Sequence, residues 1–313
     1  MTTYPWGHSR RYNDFSTYIR TVFGHRFQKI SINAGFTCPN RDGSKGVGGC
    51  TFCNNNTFNP DYCESALSVS RQIDKGIEFF QKKHPYTDFM AYFQAYTNTY
   101  GELSHLVSLY EEAIRHPNVM GLIVGTRPDC LSDELLDYFE QLQQRIYVTV
   151  ELGVESTNDA TLARVNRGHD FATTCDAVQR LSAKKIPVGA HLILGLPGED
   201  KKQMLAHADA MSKLPVKYLK IHQLQYVKGS SMGRDYLQNP ESFKVFEIEE
   251  YVELIVDFLE RVRPDIVMER FASEAPAALL LAPRWGLKNF ELTRLVEKRL
   301  NERDTWQGRL FKL

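Results

Sequence analysis

The chain has 313 residues, with 38 basic side chains balanced by 38 acidic ones, and 42% of it is apolar. Zero net charge excludes a uniformly basic nucleic-acid binder, and the apolar share excludes a disordered chain; the length suffices for one large α/β core or two small ones. No apolar run approaches the ~18 residues of a membrane helix, and residues 1–15 lack the apolar stretch of a secretory signal. With six unevenly spaced cysteines that do not form a disulfide framework, a cytoplasmic protein with reduced thiols and no membrane association is expected.

Residues 1–29 carry Arg10, Arg11, Arg20, Arg26 and Lys29 against Asp14 alone, so residues 1–27 read as a basic N-terminal extension. A first strand is predicted over 27–34, where polar and apolar residues alternate up to Gly35. The Gly-rich segment that follows holds Cys38, Cys50 and Cys53 as Cys-x11-Cys-Thr-Phe-Cys. Helical spacing of Val69, Ile73, Ile77 and Phe80 comes next. Strand-like runs at 89–96 and 119–126 precede a helix whose apolar stripe is Leu135, Leu136, Phe139 and Leu142. Ser132 is its N-cap candidate, with Asp133 and Glu134 in the first turn. Further strand-like runs lie at 146–154, 186–196 and 218–226. Residues 229–243 read as a loop. A helix with Ile248, Tyr251, Val252, Ile255 and Leu259 on one face follows, then a strand-like run at 265–270 and a last helix around 292–300.

Six strand-like runs separated by helical ones predict an α/β fold with a parallel sheet, wound open or curled into a partial barrel. In such folds chemistry gathers at the C-terminal ends of the strands. The cysteine loop ends the first strand, Gln94 the second, Thr126-Arg127-Pro128-Asp129 the third, and Glu151, Glu155 and Ser156 lie along or just after the fourth. His191, the turn 195–199, His222 and Gln225 fall on the last two. Three thiolates ligate three irons of a cubane cluster and leave the fourth iron open, which suits chemistry better than electron storage.

Cys-x11-Cys-x-Phe-Cys after the first strand, TRPD after the third, ELGVES on the fourth and HLILGLPGE on the fifth resemble the radical S-adenosylmethionine (radical SAM) enzymes. The closest resemblance is to the bacterial branch similar to the radical domain of the elongator catalytic subunit. It covers about residues 5–285. The resemblance implies a partial (β/α)6 TIM-like barrel over residues 28–230 and a small C-terminal helical and strand cap over 231–313. It further implies a [4Fe–4S] cluster on Cys38, Cys50 and Cys53, with S-adenosylmethionine on the open iron. Reductive cleavage there would give a 5′-deoxyadenosyl radical that abstracts a substrate hydrogen.

Roles carried over from the resemblance place Phe52 beside the adenine. Gln94, or its neighbour Thr97, stands where relatives carry a Gly-Gly-Glu element for the methionine amine. Glu155 and Arg167 match a polar residue and an arginine of the related oxygen-independent coproporphyrinogen oxidases, Arg167 pairing with the cofactor carboxylate. His191 falls at a ribose-binding position, and Thr126 and Arg127 face the same mouth. The implied electron donor is a flavodoxin or ferredoxin. The implied substrate is tRNA, at a wobble-uridine side chain, an assignment helped by basic termini: the tail from Arg284 carries eight Lys/Arg against four Asp/Glu.

Competing readings stand beside these. The neutral net charge suits a small metabolite equally well. Cys63 as a fourth ligand would close the cluster and make the chain an electron-transfer or binding module. Arg127 pairs simply with Asp129, Glu155 caps a helix, His191 and His222 are core histidines, and 195–199 is only a turn. Cys130 and Cys175 read as small buried apolar residues.

Overall fold

The computed structural model describes residues 3–57, 59–82 and 88–312. In chain order the elements are α1 (Phe15–Phe23), β1 (Gln28–Ile32), α2 (Val69–Gln81), β2 (Phe89–Phe93), α3 (Leu103–Ile114), β3 (Val119–Thr126), α4 (Asp133–Leu142), β4 (Tyr147–Glu155), α5 (Asp159–Arg164), α6 (Phe171–Ala183), β5 (Val188–Leu194), α7 (Lys201–Ser212) and β6 (Tyr218–Gln223). After these come β7 (Tyr226–Val227), α8 (Ser231–Gln238), α9 (Ile248–Leu259), β8 (Val267–Arg270), β9 (Leu280–Ala282) and α10 (Asn289–Glu302).

Seven strands form one parallel sheet in the order β1-β2-β3-β4-β5-β6-β8. The sheet curls into a partial TIM-like barrel. Lys29 on one edge strand lies 2.6 Å from Glu269 on the other, a distance that a flat sheet of seven strands would not allow. The run at 265–270 thus supplies a seventh strand to the main sheet. The run at 218–226 splits, and its end, β7, pairs antiparallel with β9.

Side chains alternate across each strand, so the sheet has two different faces. Ile30, Ala91, Leu122, Val150, Ala190 and Ile221 point outward into the main core, and all are fully buried against the helices. The residues between them point inward. At the lower end of the barrel, Met90, Tyr92 and Ile123 pack with Phe23, Phe27 and Tyr147. Phe15 of α1 meets Tyr218 edge-on at 5.7 Å, so α1 closes this end.

Residues 229–243, expected as loop, contain α8. Ser230 caps it by accepting a hydrogen bond from the Gly233 amide at 2.9 Å. Its short length and polar sequence hide the helical period, since only Met232 and Gly233 are buried. Ser132 caps α4 by accepting from the Leu135 amide, with Leu135, Leu136, Phe139 and Leu142 buried as the spacing predicts. No helix among the described residues is long and apolar enough to cross a membrane.

Candidate active site

Above the aromatic floor lies a layer of buried charge. Glu151 on β4 accepts from Lys220 at 2.5 Å, Lys29 at 3.1 Å and His191 at 3.0 Å. Glu269 receives Lys29 at 2.6 Å and Lys220 at 3.1 Å. Burial alone would raise the Glu151 carboxyl, but the two lysines hold it well below the ordinary carboxylate range. Burial, with Lys220 second, pushes the His191 imidazole down to about 4, so the ring is neutral at physiological pH. Lys29 and Lys220 also sit over the Tyr92 ring, at 5.5 and 4.9 Å.

On this layer rests a cavity that opens at the C-terminal ends of the strands. It gathers every residue singled out for metal or cofactor from the sequence: Cys38, Cys50, Cys53, Phe52, Gln94, Thr126, Glu155, Arg167 and His191. Thr97, Arg127 and His222 line it as well. Ser156, Glu199 and Gln225 do not. Glu199 accepts from Ser156 and from His207 (3.1 Å), and Gln225 donates to the Ser273 carbonyl at 3.1 Å. The 195–199 segment is therefore a strand-to-helix turn, with Gly195 and Gly198 both at φ 93°.

The cysteine loop is stitched to the segment joining α5 and α6. The Thr51 amide donates to the Val165 carbonyl at 3.0 Å, and Asn166 donates to the Gly49 carbonyl at 2.9 Å. Fully buried Asn40 donates to the Asn166 carbonyl and lies 3.8 Å from the Cys50 sulfur. Arg167 brings Nη1 to 3.5 Å from the same sulfur and Nη2 to 3.6 Å from Glu155. Gly153 permits this arrangement, because a Cβ there would meet Glu155 at 2.6 Å and Arg167 at 2.7 Å. On the other side, Asn55 donates to the Cys53 sulfur at 3.5 Å and Arg41 to the Cys53 carbonyl at 3.0 Å. N–H donors directed at two of the three sulfurs suit thiolates rather than thiols.

All six cysteines are free. Burial, reinforced by Cys50, raises the Cys53 thiol to about 11. Iron would reverse this, since a coordinated thiol is deprotonated outright. Among the described residues no three His, Cys, Asp or Glu converge on a single metal ion. Cys63 lies apart from the cavity in the main core, its sulfur 3.4 Å from Gln72, and burial raises its thiol to about 12.

Some expected roles resolve differently. Arg127 does pair with Asp129, through a two-pronged contact at 2.9 and 3.0 Å, while also lining the cavity. Glu155 caps no helix: Asn158 caps α5, and Glu155 ends β4 at φ 67°. Burial raises its carboxyl against the pull of Arg167. Gln94 accepts from Ser31 at 2.9 Å, and Thr126 shares a hydrogen bond with Thr99 at 2.6 Å. Arg41, Tyr92 and Arg270 line the cavity without having been anticipated. Lys220, alternating with His222 in an otherwise apolar strand, was the available signal for the charged layer.

Residues 35–211 match the Radical SAM superfamily and residues 216–302 the Radical_SAM C-terminal domain. YtqA of Bacillus subtilis (strain 168) is 33% identical over 313 residues, 99% of this chain and 96% of that protein. The tRNA uridine(34) acetyltransferase of Methanocaldococcus infernus is 26% identical over 200 residues, 61% of this chain but 35% of that enzyme. Among solved structures, the archaeal Methanocaldococcus infernus Elp3 with an N-terminal deletion superposes with a TM-score of 0.67 at 18% identity. That match spans 90% of this chain and 64% of the other.

Proposed function

The chain belongs to the radical SAM superfamily and is an enzyme of it, and on that premise we propose that it uses a [4Fe–4S] cluster and S-adenosylmethionine in this cavity to modify a tRNA wobble-uridine side chain. The observation that carries the reading is the three-cysteine loop on one wall of the cavity, with N–H donors on two of its sulfurs and no other cysteine among the cavity-lining residues. The donor set fits a cluster with one open iron. Among the described residues, buried Arg167 Nε and Arg127 Nη1 have no hydrogen-bond partner, as fits a site that takes anionic groups.

When bound, the cluster and cofactor supply one-electron cleavage of a sulfonium C–S bond and thus a hydrogen-abstracting radical. The protein's part is placement. Cys38, Cys50 and Cys53 would hold three irons, while Asn40, Asn55 and Arg167 offset the charge on sulfur. Arg167 would take the cofactor carboxylate, Gln94 the amine, His191 the ribose, and Phe52 would border the adenine. Thr126 and Glu155 would complete the wall. The charged layer and the aromatic floor beneath exclude water from the lower end of the barrel. A flavodoxin or ferredoxin would deliver the electron.

The match to a tRNA uridine(34) acetyltransferase supports tRNA as substrate. The basic termini give little support. Arg11 pairs with Asp304 at 2.8 Å, Arg303 with Asp257 at 2.7 Å and Glu260 at 3.1 Å, and Arg309 with Glu260 at 2.9 Å. This neutralisation favours, as the second reading, a small metabolite held wholly within the cavity. Incubating the reconstituted, reduced enzyme with tRNA from a deletion strain and analysing nucleosides by mass spectrometry decides between them. A wobble-uridine nucleoside that changes only with active enzyme is expected; an unchanged profile removes tRNA as substrate.

A further inference from the structure

The cavity is lined by four arginines, and three have evident partners. Arg127 is held by Asp129, Arg41 by the Cys53 carbonyl, and Arg167 by Glu155, the Gly153 carbonyl and the Cys50 sulfur. Arg270, at the end of edge strand β8, is different. Among the described residues no carboxylate comes within ion-pairing distance of it. Among the described residues its one side-chain hydrogen-bond partner is His222 on the neighbouring strand, whose Nε2 receives both Arg270 Nε at 2.9 Å and Nη2 at 2.7 Å.

A ring nitrogen that accepts from a guanidinium is unprotonated, so His222 is a neutral ring carrying its proton on Nδ1. Burial and the Arg270 charge both keep it so. His222 therefore orients Arg270 without compensating its charge. The nearest ring, His191, 5.7 Å away between centroids, is neutral as well. Glu151 and Glu269, the carboxylates of the layer below, are already engaged by Lys29 and Lys220. A half-buried cation left uncompensated on a cavity wall is costly unless a ligand of opposite charge completes it. The guanidinium edge not committed to His222 keeps N–H donors in a planar fork matched to two anionic oxygens.

We infer that Arg270, oriented by His222, is the docking point for an anionic oxygen group on the substrate, a carboxylate or a phosphate; this rests on the enzymatic reading of the cavity. The cysteine loop follows β1 and Arg270 ends β8, and both line the same cavity, so the docked substrate would share that cavity with the cluster. Arg270 selects by charge and orientation and takes no part in hydrogen abstraction.

Histidine ring NMR signals of the full-length, anaerobically reconstituted protein labelled with [13C,15N]histidine give a readout independent of turnover. Acetate and inorganic phosphate serve as probes at constant ionic strength, with the His222 signal identified by its loss in His222→Gln. The expected result is a saturable shift of His222 with at least one probe, the better probe naming the group, and binding weakened about tenfold or more in Arg270→Gln. Arg270→Lys keeps the charge but loses the planar fork and should bind severalfold more weakly than wild type. That comparison stands even if Arg270→Gln fails to fold by circular dichroism. No saturable shift with either probe, affinity unchanged in both variants, or loss of probe binding when S-adenosylmethionine is added would overturn the inference, the last by assigning Arg270 to the cofactor. Failure of the enzymatic reading would appear separately, as wild-type protein that releases no 5′-deoxyadenosine.

Discussion

Asp129 shows how one side chain serves both stability and the site. Burial opposes its ionisation, but hydrogen bonds from Arg127 and Lys45 override that and hold its carboxyl well below the usual range. A depressed native pKa gives stability that is fully present above the unfolded value of about 3.9 and is lost as the pH falls through the native value. Asp129→Asn leaves Arg127, only 2% exposed, without its counter-ion. We expect it to cost about 3 kcal/mol at neutral pH, with the gap to wild type narrowing below pH ~4, as read from denaturant melts across pH. The cysteines separate at the same scale. Cys53→Ala should lose iron on reconstitution, whereas Cys63→Ala, which alters a core position bonded to Gln72, should keep wild-type iron content while losing about 1–2 kcal/mol of stability. An iron-to-protein ratio that fell in Cys63→Ala would restore it as a ligand.

Among the elements, α8 links the C-terminal part of the chain to the cysteine loop. The Met232 amide donates to the Thr51 carbonyl at 2.8 Å, and Thr51 lies between Cys50 and Cys53. The Ser230 hydroxyl is thus a cap one step removed from the metal loop. Removing it in Ser230→Ala should cost about 1 kcal/mol, seen as a lower thermal midpoint. If the helix positions the loop, the variant should also reconstitute iron more slowly than wild type at a temperature where both are folded. Equal rates would make α8 a bystander. Gly153 tests the same wall from the strand side. A methyl group there would drive Glu155 from Arg167, so Gly153→Ala should weaken S-adenosylmethionine binding about tenfold, measured by equilibrium dialysis on the loaded protein.

For the whole molecule, barrel closure rests on buried charge as well as apolar packing. Glu269→Gln leaves Lys29 and Lys220 to share Glu151 and should destabilise the protein by about 3 kcal/mol in chemical denaturation. The strands and the cavity wall were legible in the sequence because alternation and terminal polar residues are local signals, as in 146–154 with Glu155 after it. What stayed hidden depends on pairing between distant segments. Arg270 belongs to a run that reads as part of a C-terminal cap, and only its register beside Lys220 brings it to the cavity. Lys29 reads as part of a basic N-terminus until curling sets it against Glu269. The charge of the termini was visible, but its neutralisation was not, because Glu253 and Asp257 lie on α9 and Glu260 caps its end, all far from Arg303 in sequence.

The central claim is that the three cysteines hold a cluster at which S-adenosylmethionine is cleaved. The direct test is 5′-deoxyadenosine release by anaerobically reconstituted, dithionite-reduced protein, quantified by liquid chromatography. Wild type should release 5′-deoxyadenosine and methionine in equal amounts, and Cys53→Ala should release none. Cluster-loaded, reduced wild type that leaves S-adenosylmethionine intact would contradict the account.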